Sequence, residues 1–141
     1  MKKFLIINGP NLNMLGQREP EVYGSETLDD IKKFTEAKLQ GQAALEWFQT
    51  NVEGELVNRI QQAHSQHYDA LIINPGGYSH TSVAIHDALK ILKIPVIEVH
   101  LSQVYKREEF RHTLLTAKAA TAIMGGLGKQ SYYIAIYSQL Q

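Results

Sequence analysis

The 141-residue sequence predicts an α/β fold, one parallel sheet with helices over both faces. Three observations predict it. Short apolar runs alternate with segments of helical spacing from end to end. Two of the runs, Phe4-Leu5-Ile6-Ile7 and Ala70-Leu71-Ile72-Ile73, are continuously apolar, as strands buried on both faces are. Several runs also stop on turn chemistry: Asn8-Gly9-Pro10, Asn74-Pro75-Gly76-Gly77 and Gly125-Gly126. There is no internal repeat, low-complexity stretch or linker, so residues 1–141 read as a single domain.

Element by element, Phe4–Ile7 is the first strand, and residues 11–25, with Gly16, Pro20 and Gly24, read as a long loop. Thr27-Leu28-Asp29-Asp30 opens a helix, with a carboxylate three residues after a capping hydroxyl. Leu28, Ile31, Thr35 and Leu39 share its stripe, and Gly41 is its stop. Residues 44–50, with Trp47 and Phe48, form a second strand. Glu53 to His67 is a helix through Leu56, Val57, Ile60 and Ala63. The third strand is Ala70–Ile73. Thr81 to Lys93 is a helix, Pro95 to His100 the fourth strand, and Arg107 to Arg111 a short helix. Ala122 to Met124 is a short fifth strand, and Gly128 to Gln141 a closing helix rich in Tyr and Ile. Crossovers should be right-handed, and a flavodoxin-like three-layer sandwich with strand order 2-1-3-4-5 is the expectation.

Composition removes many function classes. Cys is absent, which excludes disulfides, Cys-based zinc sites, iron–sulfur clusters and thiol catalysis. Lys and Arg total 14 against 14 Asp and Glu, so no bulk field draws nucleic acid or anionic lipid. No apolar run approaches the roughly 20 residues of a membrane span. The opening lysines and apolar run meet Asn8-Gly9-Pro10 before a signal-peptide core develops, and a cytoplasmic location is the expectation.

Ligands of such sheets bind beyond the carboxyl ends of the strands. The residues expected there are Asn8 and Asn11 after strand one, with Arg18 and Tyr23 in the adjoining loop. Asn74, Tyr78, Ser79 and His80 come after strand three, and Glu98, His100 and Ser102 close strand four. Glu98 and His100, two apart, face one side of their strand. Singly, each has an ordinary structural role: a loop Tyr as packing anchor, a strand-end His as a bonded core residue. Their clustering on one rim is what indicates a site. A phenol starts near pKa ~10 and is a poor base at neutral pH. A guanidinium fixed close by, as Arg18 is in sequence to Tyr23, favours the phenolate.

Competing motifs fail. Gly125-Gly126-Leu127-Gly128-Lys129-Gln130 has part of a P-loop, but Ile123 stands where its first Gly belongs and Gln130 where Ser or Thr would bind magnesium. Gly77-Tyr78-Ser79-His80-Thr81 lacks the final Gly of a nucleophile elbow. His64 and His67 share a helix face with only Asp69 nearby, which reads as a solvated face rather than a metal site. A phospho-acceptor domain would need acidic residues where Asn8 and Asn11 stand. A binding module without catalysis would need neither a basic group beside Tyr23 nor Glu98 and His100 on one strand face.

These residues resemble a known family along residues 4 to 137. Asn8-Gly9-Pro10-Asn11-Leu12-Asn13-Met14-Leu15-Gly16, Arg18-Glu19-Pro20 and Tyr23-Gly24 are similar to the opening signature of type II 3-dehydroquinate dehydratases. Asn51 with Glu53-Gly54-Glu55, Ile73 through Ser82, Asp87-Ala88-Leu89, Glu98 through Ser102, Arg107 through Arg111 and Gly126-Leu127-Gly128 resemble its later blocks, in order. Val52 departs from the usual His, Ser131 from the usual Gly, and Thr113 to Thr121 fits loosely.

The resemblance implies reversible trans-dehydration of 3-dehydroquinate to 3-dehydroshikimate through an enolate, in the shikimate or quinate pathway. It implies Tyr23 as proton acceptor, Arg18 as its activator, and His100 as proton donor oriented by Glu98. It implies Asn11 as holder of an enolate-stabilising water. Asn74, His80, Leu101, Ser102 and Arg111 would bind substrate, with Asp87 reaching in from a neighbouring subunit. No metal or cofactor is implied. The implied assembly is a homododecamer, a tetramer of trimers, acting on a small molecule without nucleic-acid or membrane partners.

Overall fold

The computed structural model describes residues 1–17 and 19–141, with the side chains of all of these except Val22 and Tyr23. Five strands form one parallel sheet: β1 (Lys2–Asn8), β2 (Ala43–Gln49), β3 (Ala70–Asn74), β4 (Val96–His100) and β5 (Ala122–Gly125). Their order is β2-β1-β3-β4-β5, the flavodoxin-like order expected. The helices are α1 (Pro20–Tyr23), α2 (Leu28–Leu39), α3 (Glu53–Ser65), α4 (Val83–Ile91) and α5 (Gln130–Ser138). Among the described residues, no helix is long and apolar enough to cross a membrane.

The sheet separates two cores. Phe4, Ile6, Ile72, Ile97 and Val99 face α2 and α5, where Ile31, Leu39, Tyr132 and Ile136 meet them. Leu5, Ile7, Leu71 and Ile73 face α3 and α4, against Leu56, Ile60, Ile85 and Leu89. The inner strands β1, β3 and β4 are buried on consecutive positions because neighbours cover both of their faces. The edge strands β2 and β5 stay partly exposed, and Ile123 on β5 faces outward.

The predicted start of α2 is a capping box. The Asp30 amide donates to Thr27 Oγ1 (3.1 Å), and the Thr27 amide donates to Asp30 Oδ2 (3.0 Å). Those bonds, the backbone one foremost, hold the Asp30 carboxyl below the usual range. At the other end Gln40 itself takes the left-handed cap position ahead of Gly41.

Three local expectations are corrected. Residues 11–25 are not one loop, because a 3-10 turn (Leu12–Met14) and α1 interrupt them. Pro20 stands in the first turn of α1, where a missing amide costs nothing. α3 stops at Ser65, so His67 leaves the helix and does not share a face with His64. The short helix expected at 107–111 is reduced to one 3-10 turn, Glu109–Arg111, with another, Val104–Lys106, just before that range. A further 3-10 turn, Thr116–Ala119, lies in a segment where polar and apolar residues show no clean period.

The loops leaving β1 and β3 touch backbone to backbone. A Cβ on Gly9 would lie 2.4 Å from the Pro75 carbonyl oxygen, and one on Gly76 would lie 2.9 Å from that of Pro10. Gly76 also has φ +61°, which a side chain strains. The Gly9 amide donates to the Asn74 carbonyl (2.8 Å), closing the contact. Gly9→Ala therefore forces these loops apart and should cost about 2 kcal/mol. Urea unfolding of the variant checks this, and a midpoint equal to that of the unaltered chain would refute the packing account.

Candidate active site

The strand ends frame a cavity of about 410 Å³. Its lining combines the loop after β1 (Pro10, Asn11, Leu12, Leu15), the loop after β3 (Asn74, Gly76, Gly77, His80, Thr81), the end of β4 with the turn beyond it (His100, Leu101, Ser102, Val104), and Arg107, Phe110 and Arg111. Asn11, Asn74, His80, His100 and Ser102 thus meet on one cavity, as the strand-end rule predicts, and Leu101 and Arg111, expected from the family resemblance, line it too.

Glu98 lies directly behind His100. Strand alternation places both on the α3/α4 side, and His100 Nε2 lies 2.7 Å from Glu98 Oε2. The Glu98 side chain is wholly buried. Its second oxygen accepts from Thr116 Oγ1 (2.5 Å). A buried carboxylate is costly unless its lone pairs are satisfied, and here one strand neighbour and one hydroxyl satisfy them. The pairing aligns the imidazole, which can present only Nδ1 to the cavity. Thr116 carries no motif and lies in the loosely fitting stretch, so no sequence signal points to it.

His80 is fixed differently. Its Nδ1 lies 3.0 Å from the Thr113 carbonyl, which can only accept, so Nδ1 carries the hydrogen. Desolvation, ahead of the neighbouring His100 and Arg111 charges, holds its pKa below the usual His value. The neutral ring therefore offers Nε2 as an acceptor.

Asn11 has φ +70° and its amide donates to Asn51 Oδ1 (2.9 Å), which also accepts from Gln49 Nε2 (3.2 Å). Asn51 thereby ties the β1 loop to the end of β2. Arg111 Nε donates to Glu108 Oε1 (2.9 Å), and its guanidinium lies 5.0 Å from the centre of the Phe110 ring. Glu108 is held below the usual carboxylate range by its own backbone amide first and Arg111 second. Arg107, for which the sequence predicts no role, is a second cation on the cavity, 3.6 Å from Glu19.

Asn8, Tyr78, Ser79 and Glu98 are not among the residues lining the cavity, and three further expected residues are not placed on it. Arg18 lies outside the described residues, as does the side chain of Tyr23. The Asp87 side chain is 69% exposed, lies 3.0 Å from His86 Nδ1, and is not among the residues lining the cavity of its own chain.

A model of the family described as dehydroquinase class II matches residues 2–140. The 3-dehydroquinate dehydratase of Caldicellulosiruptor bescii is 50% identical over 139 residues, covering 98% of this chain and 96% of that protein. That of Actinobacillus pleuropneumoniae is 53% identical over 137 residues, covering 96% of this chain and 88% of the relative. The crystal structure of a type II dehydroquinase from Butyrivibrio crossotus superposes with a TM-score of 0.95 at 39% identity, covering 99% of this chain and 98% of that one. The chain belongs to the class II dehydroquinase family, which dehydrates 3-dehydroquinate in the shikimate pathway.

Proposed function

We propose that this chain carries out its family's dehydration as a trans elimination through an enolate, run by its own side chains in the cavity at the strand ends. The observation that carries the reading is the buried Glu98–His100 pair opening onto a cavity shared with Asn11, Asn74, His80 and Arg111. Tyr23, activated by Arg18, removes a proton α to the substrate ketone. The electrons pass to the ketone oxygen, and a water held by Asn11 donates to the resulting enolate. His100 then gives a proton to the β-hydroxyl, which leaves as water as the ketone re-forms. Each proton lost or gained has a side chain to receive or supply it, so the step requires no metal or cofactor.

Substrate binding uses the same geometry. Arg111 and the Leu101-Ser102 segment receive the substrate's anionic and hydroxyl groups, in a chain whose formal net charge is zero. The neutral His80 accepts from a ring hydroxyl through Nε2. Asn74 orients the substrate beside His100. Asp87, exposed and away from its own cavity, completes the site of a neighbouring copy in a dodecamer of four trimers. A cytoplasmic location accompanies this role.

An ultraviolet assay for the conjugated enone product reads the activity directly. Tyr23→Phe should lower kcat about a thousandfold with KM changed by less than about threefold. Turnover close to that of the unaltered enzyme would eliminate Tyr23 as the base. His100→Ala should show a similar loss, relieved in part by a substrate with a better leaving group, and an absence of relief argues against the proton-donor role.

His80 gives a prediction in pH. Its folded pKa is depressed, so between that value and the unfolded value of about 6.5 the unfolded chain binds more protons. The stability contributed by neutral His80 is present above pH ~6.5 and is lost as the pH falls through this window. His80→Gln should flatten the dependence of the urea midpoint on pH below about 6.5. Parallel curves for the variant and the unaltered protein would show that His80 is not held neutral.

A further inference from the structure

The proposed reaction leaves one buried polar cluster unused, and it lies directly under Asn74. β1 and β3 end in register on Asn8 and Asn74, whose side chains project toward the α2/α5 face. Tyr132, in the first turn of α5, is fully buried between them. Its hydroxyl donates to Asn8 Oδ1 (2.5 Å) and accepts from Asn74 Nδ2 (3.0 Å).

The polarity of this chain of bonds is set by one fixed donor. The Gly76 backbone amide can only donate, and it donates to Asn74 Oδ1 (3.1 Å). Asn74 must then turn Nδ2 toward Tyr132, and the phenol oxygen accepts from it. The single phenol proton goes to Asn8, which presents Oδ1 while its Nδ2 makes a longer contact with the Phe48 carbonyl (3.4 Å). Burial pushes the Tyr132 pKa upward, so the hydroxyl keeps the proton it donates. Flipping the Asn74 amide would set two donors, Gly76 N–H and Nδ2, against each other. One Nδ2 hydrogen of Asn74 remains, and Asn74 lines the cavity.

We propose that Tyr132 is a positioning residue for the reaction: through its hydroxyl it locks the Asn74 amide so that the free Nδ2 hydrogen is presented to the substrate. This rests on the reading of Asn74 as a substrate-binding residue. Tyr132 touches neither substrate nor the reacting atoms, and its ring also packs against Trp47 with centroids 5.9 Å apart. The packing role thus belongs to the ring, and the proposed positioning role to the hydroxyl.

The test uses Tyr132→Phe, which keeps the ring, together with Asn74→Ala and the double variant. Each is assayed for kcat and KM with 3-dehydroquinate, and its thermal midpoint is measured alongside. Tyr132→Phe should lower kcat/KM about tenfold, and the double variant should be no worse than Asn74→Ala within about twofold, because both changes remove one interaction. Two results overturn the proposal: Tyr132→Phe with kcat/KM unchanged and only a lowered midpoint, or penalties that multiply in the double variant. Asn74→Ala with full kcat/KM instead refutes the reading of Asn74, and the proposal falls with it. If Tyr132→Phe does not fold, Asn8→Ala takes its place, because it removes the phenol's acceptor and frees the hydroxyl to turn. The same non-additivity with Asn74→Ala is expected, and additive losses or full activity overturn the proposal.

Discussion

The loops beyond β1 and β3 rest on each other through bare backbone, Gly9 against Pro75 and Gly76 against Pro10, and the site is assembled around that contact. β1 and β3 are adjacent at the centre of the sheet, so their ends emerge side by side. With no side chains to separate them, the two loops run close together. Asn11 leaves the contact on one side, and Asn74, then His80, on the other. A Cβ at either glycine would push apart the two walls on which these residues stand. The dipeptides that read as simple turns in the sequence are therefore fitted to each other as well as to their own bends.

The second constraint is electrostatic. Glu98 is the wholly buried carboxylate of the site, and it persists there because His100 and Thr116 occupy its two oxygens. Its bond to His100 fixes which imidazole nitrogen faces the cavity. The Thr113 carbonyl does the same for His80 with the opposite result, leaving an acceptor where His100 offers its other nitrogen. Two histidines in one cavity are thus given different tasks by their partners. In a chain without net charge, the proposed attraction for an anionic substrate is local, and Arg107 and Arg111 stand on the cavity wall.

Beneath both features lies a hydrogen-bonded layer that joins the ends of β1 and β3 to α5 through Tyr132. It connects the packing of the far helix to the orientation of a cavity amide. The hydrophobic core on the α2/α5 face and this polar layer meet at that phenol, apolar in its ring and polar at its tip.

Strand order, the two-faced burial of β1, β3 and β4, the capping box at Thr27 and the placing of Asn11, Asn74, Glu98, His80 and His100 at one rim were all legible in the 141 residues. They are consequences of periodicity, capping chemistry and the rule that parallel sheets gather their loops at one end, and these are local or topological properties. The 3-10 turn that replaces a helix at 107–111 and the early end of α3 were not legible, because short segments obey packing more than propensity. Nor was the role of Thr116, which stands 18 residues from the carboxylate it satisfies, or of Tyr132, 58 residues from Asn74. A hydroxyl in a helix or turn carries no signal of the distant atom it will meet. That choice of partner was made only when the sheet, α5 and the 116–119 turn came together in three dimensions.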